Sequence, residues 1–479
     1  MQSGTPSKEP MNRDRPTPSS LAAASPSLTQ GLILLSVLIS GVPLYSAHAQ
    51  SIVTNGDVNP TVPSPPPSIW NIGGRLYVGQ TGTGTLSIAD GSIVNISNGY
   101  VGQAFGSYGV AAVSGTGSAW NAAGSFYIGH YGTGTLSVTE GGLVSSRDGN
   151  IGDNAQSIGT ATVAGAGSAW TNTRNAYVGT SGIGTVFIED GGTVSSSYGY
   201  VGLDTSGNGD VTVTGAGSSW KNSADITIGD GGTGVLRILN GGTVSSTSAY
   251  VGNFFGSNGS VMLSDAGSAW SNSDSLTLGN GGTGTLTLAE GAQVSVRSGL
   301  GSIVLGAFTG SSGTLSLGAA PNSPGDATGA GELDVLKLEL GDGAGTLNFN
   351  HTDNDYGLNA ALISTGAGTH ALNQLAGITR LNADNSSFNG TTTVTGGTLI
   401  IANQLGGSAS VTGGRLQVDG SFAGPVVIAQ TGTLAGVGTI SGNAAFANGG
   451  VLVGTQGQTL KFGHDLALNS ATQVNVALG

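Results

Sequence analysis

Short bursts of alternating apolar and polar residues recur along this chain at a fixed interval. One apolar column reads Leu86, Leu136, Val186, Leu236 and Leu286. A second, two residues on, reads Ile88, Val138, Ile188, Ile238 and Leu288. Between them stand Ser87, Ser137, Phe187, Arg237 and Thr287, a column that accepts anything. Two constrained columns around a free one give the two-residue period of a strand with one buried face. A further apolar column follows at Val94, Val144, Val194, Val244 and Val294.

The interval is set by the five tryptophans, Trp70, Trp120, Trp170, Trp220 and Trp270, which stand 50 residues apart. Gly79, Gly129, Gly179, Gly229 and Gly279 keep the same step, as do Gly84, Gly134, Gly184, Gly234 and Gly284. A fixed period of this length is the signature of a repeat architecture. Each unit also echoes itself. Tyr77-Val78-Gly79 returns as Tyr100-Val101-Gly102, and Tyr177 to Gly179 returns as Tyr200 to Gly202, in both cases a little under half a period later. The echo predicts two coils per unit, of roughly 23 and 27 residues, each with three short strands and three turns. Stacked in parallel, such coils make an all-β solenoid, a right-handed parallel β-helix, with Leu, Ile and Val ladders inside. Glycine would turn the corners. From residue 71 onward the rod would be roughly 80–100 Å long at one coil per ~4.8 Å.

Composition narrows the class. The chain has 479 residues, 88 of them glycine, and only 8% are charged. An ordinary domain is about 25% charged. Periodic glycine among abundant Val, Ile and Leu argues against disorder. There is no cysteine, hence no disulfide and no thiolate metal site. A net charge of −13 argues against nucleic acid, which needs a basic footprint. Residues 1–49 read as a secretory signal peptide. Lys8, Arg13 and Arg15 make its basic region, Leu32 to Leu44 its apolar stretch, and Ala47-His48-Ala49 its cleavage site, with cleavage near Ala49. Residues 50–70 form a proline-rich lead-in or cap, and 71–318 the tryptophan-repeat solenoid. Residues 319–340 are an irregular connection, and 341–479 a second solenoid with shorter coils.

The unit with Tyr-Val-Gly, an Asp-Gly-Gly turn and Gly-x-Gly-Ser-x-Trp resembles a repeat of exported bacterial proteins. The stretch from Gly341 to about Gly454 is similar to autotransporter (type V secretion) passengers. Its segment from Thr391 to Ile401, together with Val411-Thr-Gly-Gly-Arg-Leu-Gln-Val418, looks like the autotransporter-associated β-strand repeat. These likenesses span about residues 71–479. They imply a surface-displayed or secreted stalk of a Gram-negative bacterium, an adhesin, carried by an outer-membrane translocator barrel. No barrel is visible in this chain, whose strand-like run Gln473-Val474-Asn475-Val476 reaches almost to Gly479. The chain therefore reads as a passenger truncated before its translocator, with a host-cell, glycan or surface ligand as partner.

Three features are candidates for chemistry. The column Asp90, Glu140, Asp190, Asn240, Glu290 precedes glycine each time, as a turn corner does, and Asn240 replaces the carboxylate. A carbohydrate-active β-helix would instead set carboxylates on adjacent coils. Asp342, His351, Asp353 and Asp355 break the repeat, as a catalytic group would, but autotransporter passengers carry a similar string. His130, His370 and His464 stand alone in sequence and read as loop residues. The tryptophans could form a glycan-stacking platform or fill a corner of every second coil. The calcium nonapeptide is absent, since Gly231-Gly232-Thr233-Gly234 runs into Val235-Leu236, and there is no nucleophile elbow. The reading is a non-enzymatic structural or adhesive protein with no cofactor and no metal. A β-helix carbohydrate-active enzyme and a glycan-binding module are the alternatives.

Overall fold

A computed structural model describes residues 52–321, 327–429 and 431–476. The expected signal segment 1–49 and its cleavage site Ala49 lie outside these residues. The described chain winds into a β-solenoid of about 16 turns of parallel stacked coils, with no helix among the described residues.

Each coil has three strands, which stack into a long face, a tryptophan face and a tyrosine face. On the long face Thr83 pairs with Tyr108, Tyr108 with Thr133, Thr133 with Ile158 and Ile158 with Ile183, always half a period on. On the tryptophan face Ile69, Ile93, Ala119, Leu143 and Ala169 follow one another at steps of 24 and 26. On the tyrosine face Leu76, Gly99, Phe126, Gly149 and Ala176 follow at 23 and 27.

The coils are therefore of equal length on the long face, and the expected alternation of 23 and 27 residues is the step of the tyrosine face, with a smaller alternation on the tryptophan face. The difference lies in the corners. The coil bearing Trp120 has strands Tyr108–Ser114, Ala119–Ala122 and Phe126–Ile128, which leaves corners of four, three and four residues. The next coil has strands Thr133–Thr139, Leu143–Ser146 and Gly149–Ile151, with corners of three, two and six. Both coils spend eleven residues on corners, so the long face stays in register while the other two swing ahead and fall back.

Side chains alternate in and out along the strands of the long face, as in Thr133–Thr139, where Gly134, Leu136 and Val138 are buried. One apolar cluster runs from Ile52 to Phe446. Each fully buried Val, Leu or Ile contributes about 1.5–3 kcal/mol, and each coil rests on its neighbours, so stability accumulates coil by coil.

The N-terminal end is closed by antiparallel pairing. Ile52–Gly56 lies against Thr83–Ile88, and Val58–Asn59 against Leu76–Val78. Between these strands Asp57 Oδ2 accepts the N–H groups of Thr81 (2.6 Å) and Gly82 (2.7 Å), donors that later coils satisfy with backbone carbonyls. Those backbone hydrogen bonds hold the Asp57 carboxyl below its ordinary range.

Past Thr283 the long-face coils lengthen, the pairing running from Thr283 to Ser312 and from Ser312 to Ala344. Beyond Ala371 the steps fall to 20, 17, 17 and 18, through Thr391, Ser408 to Ala409, Val426 and Ala444. The short coils have three separate faces, each a parallel sheet.

Candidate functional site

The tryptophans point inward. Trp120, Trp170, Trp220 and Trp270 are fully buried and Trp70 nearly so. They stand within strands, not at corners, and alternate along one ladder with the valine column: Trp120 with Val144, Trp170 with Val194, Trp220 with Val244 and Trp270 with Val294. Both expectations for these residues are thereby corrected. No indole face is offered to a glycan, and the side chain fills the middle of a face.

An inward indole needs room in the neighbouring coil. A Cβ on Gly149 would stand 2.8 Å from Trp170 Cζ2, and one on Gly199 would stand 2.7 Å from Trp220 Cζ2. The indole Nε1 atoms donate to Ser146 Oγ (3.2 Å) and Ser196 Oγ (3.3 Å). Those hydroxyls in turn donate to Asn172 Oδ1 and Asn222 Oδ1, both at 2.7 Å. The interior thus holds a polar ladder beside an apolar one. Its hydroxyl and indole donors are satisfied at these two levels, as buried polar groups require.

The column Gly79, Gly129, Gly179, Gly229 and Gly279 has φ near +70° throughout, a left-handed conformation. A Cβ at any of them would overlap the backbone carbonyl of Tyr108, Ile158, Asn208, Asn258 or Ser312 in the next coil. Two independent constraints, conformation and close approach, therefore fall on one residue.

The acidic column is a turn. Asp90, Glu140, Asp190, Asn240 and Glu290 all have φ between 51° and 54°, and the glycine after each is also left-handed. The next amide closes the turn onto the residue before, as in Gly192 N–H to Glu189 O (2.9 Å). Two successive positive φ values and that bond define a type I′ turn, which favours Asp and Asn among non-glycine residues and here also holds Glu140 and Glu290. The side chains are exposed. The turn also explains the Gly-x-Gly-Ser motif of the following coil. Ser118, Ser168, Ser218 and Ser268 are buried, and each Oγ accepts the N–H of Gly91, Gly141, Gly191 or Gly241 at 3.0 Å.

The Asp342, His351, Asp353 and Asp355 group is not assembled into one site. Asp342 Oδ1 accepts the N–H of Ala367, Asp353 Oδ2 that of Ala330, and Asp355 lies 3.7 Å from Arg380 Nε. His351 is fully buried, with Nε2 2.9 Å from Thr379 Oγ1. Burial pushes its pKa down and that of neighbouring Tyr356 up. Among the described residues no three His, Cys, Asp or Glu side chains converge as a metal site would need.

His130 is a loop residue, in the corner 129–132, and His370 opens the strand His370–Ala376, and neither stands alone. His130 Nδ1 lies 2.7 Å from Asp153 Oδ2 on the next coil, with Tyr100 and Tyr127 against its ring. His370 is buried, with Nε2 2.9 Å from Gly341 O and Nδ1 2.8 Å from Asn389 Oδ1. His464 is exposed.

The sequence reading missed a set of exposed aromatics. The corner that leads from the tyrosine face back to the long face is residues 102–107, 129–132, 252–257 and 306–311 at four levels. It carries Phe105, Tyr131, Phe254, Phe255 and Phe308, all exposed. The six-residue form of this corner varies at its tip from unit to unit: Ala104-Phe105, Asn154-Ala155, Asp204-Thr205, Phe254-Phe255. That variation within a constant frame was the available signal.

No protein-family model matches the chain, and no curated protein matches it. Among solved structures it is similar to the crystal structure of a TibC-catalysed hyper-glycosylated TibA fragment. The identity is 15%, over 84% of this chain and 99% of that one, with a TM-score of 0.26. A likeness this shallow carries no weight for function.

Proposed function

We propose that the chain is an exported, non-enzymatic cell-surface or secreted passenger, a rigid structural stalk with an adhesive role. The observation that carries this reading is the allocation of chemistry along the rod. The repeated tryptophans, serines and glycines are used inside the solenoid or at its turns, the carboxylates of the turn column stand singly on every second coil, and among the described residues no three His, Cys, Asp or Glu side chains converge. An enzyme of this architecture would gather carboxylates on neighbouring coils, and a glycan platform would expose its aromatic faces. A stalk needs only stacked coils and variable outward positions, which this chain has. Delivery by an outer-membrane translocator, after cleavage near Ala49, is part of the proposal and rests on the sequence resemblance.

The test is protease accessibility in intact Gram-negative cells expressing the full-length protein. Surface display predicts digestion by externally added protease and a mature N-terminus near residue 50. Retention in the cytoplasm with residues 1–49 uncleaved would refute it.

A further inference from the structure

The corner between the tyrosine face and the long face forms one straight edge of the rod. Six-residue corners stand on alternate coils, each two residues longer than the four-residue corners between them. Phe105 and Phe255 are 79% and 89% exposed, and Tyr131, Phe254 and Phe308 lie on the same edge. Tyr108, Ile158 and Ile183, which open the adjoining long strands, add exposed apolar area beside it. From the Phe105 coil to the Phe308 coil the row is roughly 40 Å long at eight coil steps. The aromatic tips fall into two groups, Phe105 with Tyr131 and Phe254 and Phe255 with Phe308, with the tips at 154–155 and 204–205 between them, and each group is an exposed apolar patch of the kind that marks an interaction site.

We propose that this edge lies in the interfacial region of a neutral lipid bilayer, with the phenylalanine tips inserted. Shape is the first argument. The edge is convex and one corner wide, so a second such edge would meet it only along a line, far from the roughly 800 Å² per partner of a stable protein interface. A fluid surface accepts a convex row without a matching groove. Charge is the second. From residue 102 to 311 these corners contain no Lys or Arg, and they do contain Asp153, Asp204 and Asp230. That edge repels an anionic surface and tolerates a zwitterionic one. The chemistry of the tips is the third. Gly106, Gly256 and Gly310 flank the aromatic tips. Having no side chains of their own, they let the rings protrude.

This inference rests on the fold and not on the route of export, and the assay is blind to delivery. The purified protein is floated with phosphatidylcholine vesicles, with and without phosphatidylserine, at low and high salt. Flotation with phosphatidylcholine alone, unaffected by salt, is expected. Phe254→Ser with Phe255→Ser should lower partitioning at least about tenfold. Thr205→Phe, at the bare tip between the two aromatic groups, should raise it by a similar factor. Phe187→Ser, on the long face, should leave it unchanged. These side chains are exposed, so circular dichroism should not move. The proposal is overturned by the absence of flotation, by undiminished flotation of a Phe105→Ser, Phe254→Ser, Phe255→Ser, Phe308→Ser variant, or by binding that needs anionic lipid and fails in salt. It is also overturned if lipid-free protein sediments as a dimer that these substitutions dissociate.

Discussion

Gly199→Ala tests the packing of the tryptophan ladder in isolation from backbone strain, because Gly199 does not have a left-handed φ. The new Cβ would meet Trp220 Cζ2 at 2.7 Å and Asn222 Oδ1 at 2.8 Å. The protein already contains the outcome. One repeat later Ala249 occupies the equivalent position beneath Trp270. There the indole Nε1 and the Asn272 Nδ2 have no partner, whereas Trp220 Nε1 reaches Ser196 Oγ (3.3 Å) and Asn222 Nδ2 reaches Ser245 O (3.4 Å). The substitution therefore exchanges two hydrogen bonds, about 1 kcal/mol each, for relief of the clash. Alanine's backbone advantage over glycine returns roughly 0.5–1 kcal/mol. The net loss is about 1 kcal/mol.

Native-state hydrogen exchange of the strands around Trp220 reads that loss locally, as about a fivefold fall in protection. In a Trp220→Leu background no indole stands over the methyl, so the same change should be neutral or stabilise by about 0.5 kcal/mol. The mirror substitution, Ala249→Gly, should stabilise by about 1 kcal/mol although glycine in a strand ordinarily destabilises. An equal cost of Gly199→Ala with and without Trp220 would refute the coupling, and so would a destabilising Ala249→Gly.

Ser218→Ala leaves the part-buried N–H of Gly191 without its acceptor and should cost about 1 kcal/mol, read as a lower urea midpoint. Val186→Leu should gain about 0.8 kcal/mol by adding one methylene beside a cavity of about 10 Å³ lined by Ala176, Val186 and Val194; a loss would mean that the site is already full. Asp230→Asn should raise Tm at neutral pH. Burial pushes the Asp230 carboxyl pKa up, so its ionisation penalises the folded state above that raised pKa and not below the ordinary value. The gain should therefore vanish below about pH 4.

What was legible in the sequence was whatever the stacking forces to repeat. Leu136 and Val138 must recur because each is stacked between buried apolar side chains of the coils on either side, Leu136 between Ala111 and Ala161 and Val138 between Val113 and Val163, and Gly129 must recur because a carbonyl of the next coil occupies its Cβ space. What joins two coils was harder to see. The Gly-x-Gly-Ser and Asp-Gly-Gly motifs were each visible, but the bond from Gly191 N–H to Ser218 Oγ spans 27 residues. The pairing of His130 with Asp153 spans 23. The equal length of the coils was hidden because the Tyr-Val-Gly echo samples the one face whose step alternates most. The aromatic edge was hidden for the opposite reason: its tips repeat nothing, so column reading passes over them.

The doubled period itself follows from volume. Each coil takes half of the tryptophan spacing, so a single-coil repeat would suffice for the backbone. An indole, however, needs a small residue beneath it and a small residue in its own coil. The Trp120 and Trp170 coils carry Ala111 and Ala161 on the long face, and the Trp220 and Trp270 coils carry Val211 and Val261. The intervening coils, which have valine in place of tryptophan, carry Leu136, Leu236 and Leu286. Large and small side chains thus trade places from coil to coil, which keeps each layer filled. The exception identifies the rule. Val186 stands with Val194 in one coil, so both positions there are small, and Ala176 is small in the coil before; that is where the cavity lies. A period fixed by interior volume places no demand on the outward tips. The residues free to vary between units are therefore the ones available for contact with a surface.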